Sequence, residues 1–406
     1  MAINVGARTR KLTQPKETVT TSTPKVLAGS RMAFVDNLRV FLTILVVVFH
    51  LAITYGGEGS WFYRERPTTE LAGILLTLFI SLNQFYFMGL FFFISGYFVP
   101  GAMDRKGGWK FLRDRLLRLG IPLVLYSVLI SPIVEGIKAI HEGYFSGNMG
   151  QYILRCWQTR FFTPGPLWFI EALLAFSLAY VGGRAALDWI KRIASKSTPT
   201  SVDKPITHKL IIAFILVLAP LSFVVRLVRP MGIEWHHLEL AYFPQYIMMF
   251  ALGILAYRRG WLPDFPAGVR KVWSVVAFIG IAALPVIMVL GGAIDNIEPF
   301  KGGMTWQSLL TSSWEAIYVI SMSIMLLGVF RNRFNQQGSL SQFLSRNAYT
   351  VYIIHAVVIV GLTYLLGGIS MDPLLKFVLV SPLAVGLCFL TSQYLVRRIP
   401  LADKVL

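Results

Sequence analysis

The sequence predicts an all-α polytopic membrane protein of about ten transmembrane helices, with both termini in the cytoplasm. Three observations carry that expectation. Of 406 residues, 55% are hydrophobic and only 14% charged, against about 25% charged in soluble domains. Mean hydropathy is +0.62. The apolar residues fall in runs close to the roughly 20 residues a membrane-crossing helix needs, with the cations between them. This composition excludes an ordinary soluble enzyme, a disordered chain and a secreted disulfide scaffold. The two cysteines, Cys156 and Cys388, make no framework of bridges.

Read in order, the candidate spans cover 33–55, 71–99, 119–135, 167–183, 209–228, 241–257, 272–290, 314–330, 348–366 and 376–396. The second is long enough to tilt or break near Asn83-Gln84, and the third and fourth are short. Loop charge tests the count. With residues 1–32 in the cytoplasm, the inner segments hold 28 Lys and Arg, the outer segments 9, and Arg39 lies inside the first span. Positive-inside bias produces that alternation. It accounts for the net charge of +18 without a nucleic-acid partner.

Residues 1–32 read as a flexible cytoplasmic tail, 33–398 as the membrane domain and 399–406 as a cytoplasmic C-terminal tail. The first span acts as an uncleaved insertion signal. The stretch Ser195–Lys204 is a linker by composition, and no second soluble domain is visible. The expected location is the cytoplasmic membrane, with lipid as a standing partner.

Ionisable groups inside the hydrocarbon are costly and face a bundle interior or an aqueous cavity. In the first span, Arg39 and His50 are eleven positions apart. That places them about 20° past three full turns, on one face and roughly 16 Å apart. Asp36, three residues before Arg39, is placed to pair with it. A cation near the inner end and an imidazole in the outer half suit a long ligand with an anionic head and a reactive far end, such as acyl-coenzyme A. The alternative is an interfacial ion pair below a hydrogen-bonded packing histidine.

Glu171, near the outer end of the fourth span, lies at about the depth of His50, where a carboxylate orients an imidazole. Glu315 opens the eighth span and reads as an interfacial residue. Toward the inner side, Ser95 precedes Gly96-Tyr97 late in the second span. Arg113, Arg115 and Arg118 precede the third in a stretch of interfacial character, 111–118. Tyr352 and His355 lie within two turns of the inner end of the ninth span. His236-His237 with Glu234 and Glu239 lack metal-ligand spacing, so no metal is expected. Trp61, Trp157 and Trp235 in outer loops fit an interfacial belt or stacking on sugar rings.

These residues resemble the membrane acyltransferase 3 family. The resemblance rests on Asp36-Asn37-Leu38-Arg39 with His50 after ten intervening residues, and on Phe92-Phe93-Ile94-Ser95-Gly96-Tyr97-Phe98. It continues through Arg115-X-X-Arg118 before Pro122, Leu167-Trp168-Phe169, and Tyr349-Thr350-Val351-Tyr352-Ile353-Ile354-His355. The phrases Leu119-Gly120-Ile121-Pro122 and Arg398-Ile399-Pro400-Leu401 look closest to the glucan biosynthesis protein C branch, associated with succinylation of periplasmic glucans.

The resemblance implies a ten-helix transferase that takes a short acyl group, acetyl or succinyl, from cytoplasmic acyl-CoA to a hydroxyl of an extracytoplasmic glycan. Acyl-CoA is then a co-substrate, with no tightly bound cofactor. His50 and Glu171 take the catalytic places. Arg39, Ser95, Arg115, Arg118, Tyr352 and His355 take the coenzyme A places. Two other classes stay open: a transporter or flippase for an anionic lipid or acyl donor, and a scaffold for a glycan-synthesis complex.

Overall fold

The computed structural model describes residues 32–65, 69–194, 205–262, 265–400 and 402–405, beside Met1. The expected tail, but for its end residues, and the linker at 195–204 fall outside them. Residues 33–406 form one compact unit. Among the described residues every regular element is helical, and one isolated bridge joins Trp235 to Leu238.

Among the described residues, ten helical stretches are long and apolar enough to cross a membrane. They are Ala33–Thr54, Glu70–Lys106, Gly108–His141, Gly165–Trp189, His208–Val228, Leu240–Arg258, Ala267–Leu290, Trp306–Arg333, Ser339–Leu365 and Pro373–Arg398, numbered below as the first to tenth spans. Helices are what such runs must form, because hydrocarbon offers backbone N–H and C=O groups no other partner. Their starts are marked by polar caps. Thr69, Thr207 and Thr305 each accept a backbone N–H of the first turn, and Asp372 accepts two.

Several spans differ from the sequence expectation in length, and the differences relocate residues. The second does break, with one helix ending at Gln84 and the next starting at Phe87. Asn83 is folded back there onto Phe79 O at 2.7 Å and Tyr86 donates to Asn83 at 3.1 Å. The third is not short. It runs through two π-helical turns, Leu116–Gly120 and Tyr126–Ile130, so 111–118 belongs to the same rod as the span. The ninth begins at Ser339, nine residues before the apolar run that marks it in the sequence. Polar residues there still wind as helix because they sit beyond the apolar core, where side-chain hydropathy no longer reports the backbone. Of the C-terminal segment, Ala402–Val405 is a short helix.

Contacts between loop ends define two ends of the bundle. At one, Asn37 Nδ2 donates to Phe334 O and Gln336 O at 2.7 and 3.0 Å. There too Arg258 pairs with Asp104 at 2.5 Å and donates to Tyr180 at 3.0 Å, and Tyr349 donates to Arg118 O at 2.5 Å. This is the Arg39 end. At the other, Lys376 meets Glu65 and His237 meets Glu171; this is the His50 end. The eighth span is the most enclosed and the seventh the least.

The second and sixth spans cross at glycines. A Cβ on Gly96 would stand 2.2 Å from Phe250 O, and one on Gly253 would stand 2.1 Å from Phe93 O. Small residues let membrane helices approach this closely. Gly96 in the Ser95-Gly96-Tyr97 phrase is therefore a packing residue.

Candidate functional site

The first span runs without interruption from Ala33 to Thr54, so the Arg39–His50 stripe survives intact. Arg39 is half-exposed, pairs with Asp36 and lies 5.8 Å over the Phe98 ring. His50 is half-buried. Its Nδ1 stands 2.8 Å from Val46 O. A carbonyl only accepts, so Nδ1 carries the proton and Nε2 keeps its lone pair. One turn of helix thereby fixes the tautomer a general base needs.

Two rings enclose that imidazole. Trp61 stacks on it at 3.8 Å between centroids, 25° from parallel, and His355 lies 5.0 Å away. Trp61 is 5% exposed, so it lines the bundle interior and is not part of an interfacial belt. His355 repeats the pattern of His50: its Nδ1 is 2.6 Å from Tyr352 O, and its buried Nε2 has no partner among the described residues. Trp61 Nε1 and the hydroxyls of Tyr55 and Tyr126 are buried and equally unpartnered there. Such groups cost about 1–3 kcal/mol each. Two of them, His355 Nε2 and Trp61 Nε1, belong to rings packed against the His50 imidazole, which marks that imidazole as a candidate site.

Several expected neighbours stand elsewhere. His355 and Tyr352 do not belong to the Arg39 end. Sixteen residues of helix separate Ser339 from His355, about 24 Å, which carries the ring to the depth of His50. The Tyr352 hydroxyl is spent on Pro166 O, at the start of the fourth span. Glu171 does not orient His50: its carboxylate holds His237 Nε2 at 2.6 Å, and the Val46 carbonyl takes the orienting place. Glu315 is not interfacial, because the eighth span begins nine residues earlier, at Trp306. Its carboxylate meets Arg226, and both side chains are 0% exposed.

At the Arg39 end, Arg115 lies 5.1 Å over the Phe111 ring, and Arg118 is exposed with its carbonyl on Tyr349. Ser95 is half-buried within the bundle. The His236-His237 cluster is engaged internally, since His237 binds Glu171 and Glu239 accepts the Gly232 N–H at 2.6 Å. Burial holds the Glu239 carboxyl above the usual carboxylate range.

Two features were missed in the sequence. One is Lys376, which meets both Glu65 oxygens at 2.7 and 2.8 Å and Ile369 O at 3.1 Å, next to a cleft of about 480 Å³ beyond Tyr55. The other is the Arg226–Glu315 pair. A Lys opening an apolar run and an Arg inside one are the signals that each offered.

The acyltransferase domain family matches residues 32–393 of the chain. Glucans biosynthesis protein C of Escherichia coli K12 is 31% identical over 103 residues, 25% of this chain and 26% of that protein. Its counterpart in Salmonella paratyphi B is 24% identical over 194 residues, 47% of each chain. The matched part thus spans about a quarter to a half of these relatives. No solved structure matches. With ten helices among the described residues long and apolar enough to cross a membrane, and a family match over nearly its whole length, the chain belongs to the acyltransferase 3 family.

Proposed function

We propose that this protein is a membrane O-acyltransferase that moves a short acyl group, acetyl or succinyl, from cytoplasmic acyl-CoA to a glycan hydroxyl outside the cytoplasmic membrane. The observation that carries the reading is the imidazole of His50. Its Nδ1–H is tied to Val46 O, and its Nε2 is left as an acceptor among aromatic rings, on one stripe with Arg39. Nε2 takes the proton of the acceptor hydroxyl as its oxygen attacks the thioester carbonyl. The tetrahedral adduct collapses with cleavage of the C–S bond, and the imidazolium returns the proton to the departing thiolate. Positioned general base help of this type contributes roughly 10²–10⁴ in rate.

Arg39, Arg115 and Arg118 hold the coenzyme A phosphates by charge-assisted hydrogen bonds. The pantetheine arm then covers the roughly 16 Å to His50. The relatives' printed name, with its reference to glucans, supports a glucan as acceptor.

The test is incubation of purified protein with labelled acetyl-, succinyl- and longer acyl-CoA in the presence of a glucan. Thiol release with label appearing on the glucan is expected. No thiol release with any donor overturns the reading.

A further inference from the structure

Beyond the end of the first span, the chain makes a short loop whose residues serve two places at once. Trp61 goes to the face of His50, while Tyr63, Arg64 and Glu65 form one wall of the 480 Å³ cleft. The segment is anchored at both ends: Gly57 N donates to Ala52 O at 2.9 Å and Glu65 N donates to Thr54 O at 2.7 Å. Tyr55 lines the cleft five residues past His50, about 7.5 Å farther along the axis. It is 1% exposed, and its hydroxyl has no partner among the described residues. His141 and Ser370 also line the cleft, the His141 ring 5.0 Å from that of Tyr63.

We propose that this cleft is the acceptor subsite, seating a sugar residue of a neutral glycan with its hydroxyls on Tyr55, Arg64 and Glu65. The proposal rests on the acyl-transfer reading above. The volume lies within the about 300–1,000 Å³ of small-molecule sites, but the lining is not apolar. It offers a donor in Arg64, an acceptor in Glu65, and groups that do both in Tyr55, His141 and Ser370.

A sugar satisfies such a mixed wall because each hydroxyl both donates and accepts. A phosphate would leave Glu65 facing an anion, and an acyl chain would leave every polar group unpaired. Burial, and next Glu65, hold the Tyr55 hydroxyl well above its ordinary range, so it stays a donor at any working pH. Lys376 neutralises Glu65 through both oxygens, and each oxygen keeps a further lone pair that a ligand hydroxyl can meet. Trp61, which covers His50, and three residues of the cleft wall belong to one anchored loop, so the subsite and the imidazole are built on the same short segment.

The test titrates a gluco-oligosaccharide into the purified full chain by calorimetry, and in parallel measures the acceptor KM and the acyl-CoA KM by thiol release. Tyr55→Phe removes one hydroxyl and should weaken oligosaccharide affinity about 3- to 10-fold, the range of one neutral hydrogen bond. Ser370→Trp places bulk in an exposed loop that tolerates it, and should weaken affinity by at least about tenfold through occlusion. Both should leave the acyl-CoA KM unchanged.

Wild-type affinity and acceptor KM in both variants, with thiol release intact, would overturn the cleft and spare the transfer reading. Affinity lost in both variants, in a protein that releases no thiol, would keep the sugar site and overturn the transfer reading. Failure of the wild-type chain to bind any gluco-oligosaccharide overturns the proposal outright.

Discussion

Two buried polar clusters occupy the interior toward the same end of the bundle: each leaves atoms without a partner among the described residues, Arg226 Nε and Glu315 Oε1 in one and His355 Nε2 in the other, but only one joins opposite charges. Around Arg226, the guanidinium meets the Glu315 carboxylate and donates to Ser312 at 3.1 Å, and it lies 5.5 Å from the centre of the Tyr242 ring. Charge meets charge, and spans five and eight are tied together. Around His50, the imidazoles of His50 and His355 each spend one nitrogen on a carbonyl of their own helix and keep the other, and neither ring has an ion pair among the described residues. A buried ion pair holds positions, and breaking it leaves an uncompensated charge. An imidazole with a bare Nε2 is available to move a proton. The first cluster is architecture, and the second is where the proposed reaction takes place.

The largest effect expected is on the imidazole side. His50→Ala should cut kcat by at least about two orders of magnitude while acyl-CoA still binds, with thermal stability in detergent close to wild type. A folded His50→Ala protein turning over at the wild-type rate would remove the distinction altogether.

The charged cluster should fail in the opposite way. Glu315→Leu alone strands Arg226 and should cost about 3–5 kcal/mol of stability, read as a lowered Tm, with activity per folded molecule retained. Combining it with Arg226→Met should restore most of the loss, because a hydrophobic pair of similar volume replaces a buried ion pair at little net cost. A double variant that is stable but inactive would make this cluster part of the reaction.

A smaller effect is expected one ring away from His50. His355→Leu keeps the volume and deletes the unpartnered Nε2. If that nitrogen helps place the proton on His50, kcat should fall about tenfold, below the range of a direct base, with both KM values unchanged. His355→Gln, which offers a polar atom again, should recover part of it. A variant with altered KM for acyl-CoA and normal kcat would return His355 to the donor site.

Much of the fold was legible because hydropathy reports the membrane solvent directly. The ten apolar runs, the break after Gln84 and the Arg39–His50 stripe all follow from residue type and helical period. What hydropathy does not report is helix that continues past the apolar core. That is why the ninth span looked nine residues shorter and His355 was placed at the wrong depth. Lateral neighbours are equally silent in one sequence. Glu171 shares a depth with His50, but depth alone does not choose between two partners, and the fold delivers His237 to it. Arg226 lies two residues inside the end of an apolar run, so its burial depends on a carboxylate 89 positions away.

The smallest effect expected tests the stripe rather than either cluster. Arg39 shares its guanidinium with Asp36 three residues earlier and is half-exposed. A charge-assisted hydrogen bond contributes about 1.5–3 kcal/mol when desolvated, and exposure lowers that considerably. Arg39→Gln should therefore raise the acyl-CoA KM only about 3- to 10-fold, leaving kcat and the acceptor KM alone. Raising the salt concentration should shrink the wild-type advantage, since an exposed phosphate contact is screened over a Debye length of about 10 Å at 0.1 M. Asp36→Asn separates the observed ion pair of Arg39 from its proposed phosphate contact. If the ion pair only anchors the helix end, that substitution should lower Tm with KM unchanged. If Asp36 also aims the guanidinium at phosphate, KM should rise with Tm unchanged. An Arg39→Gln protein whose kcat falls as far as that of His50→Ala would mean that the two ends of the stripe do not divide binding from chemistry.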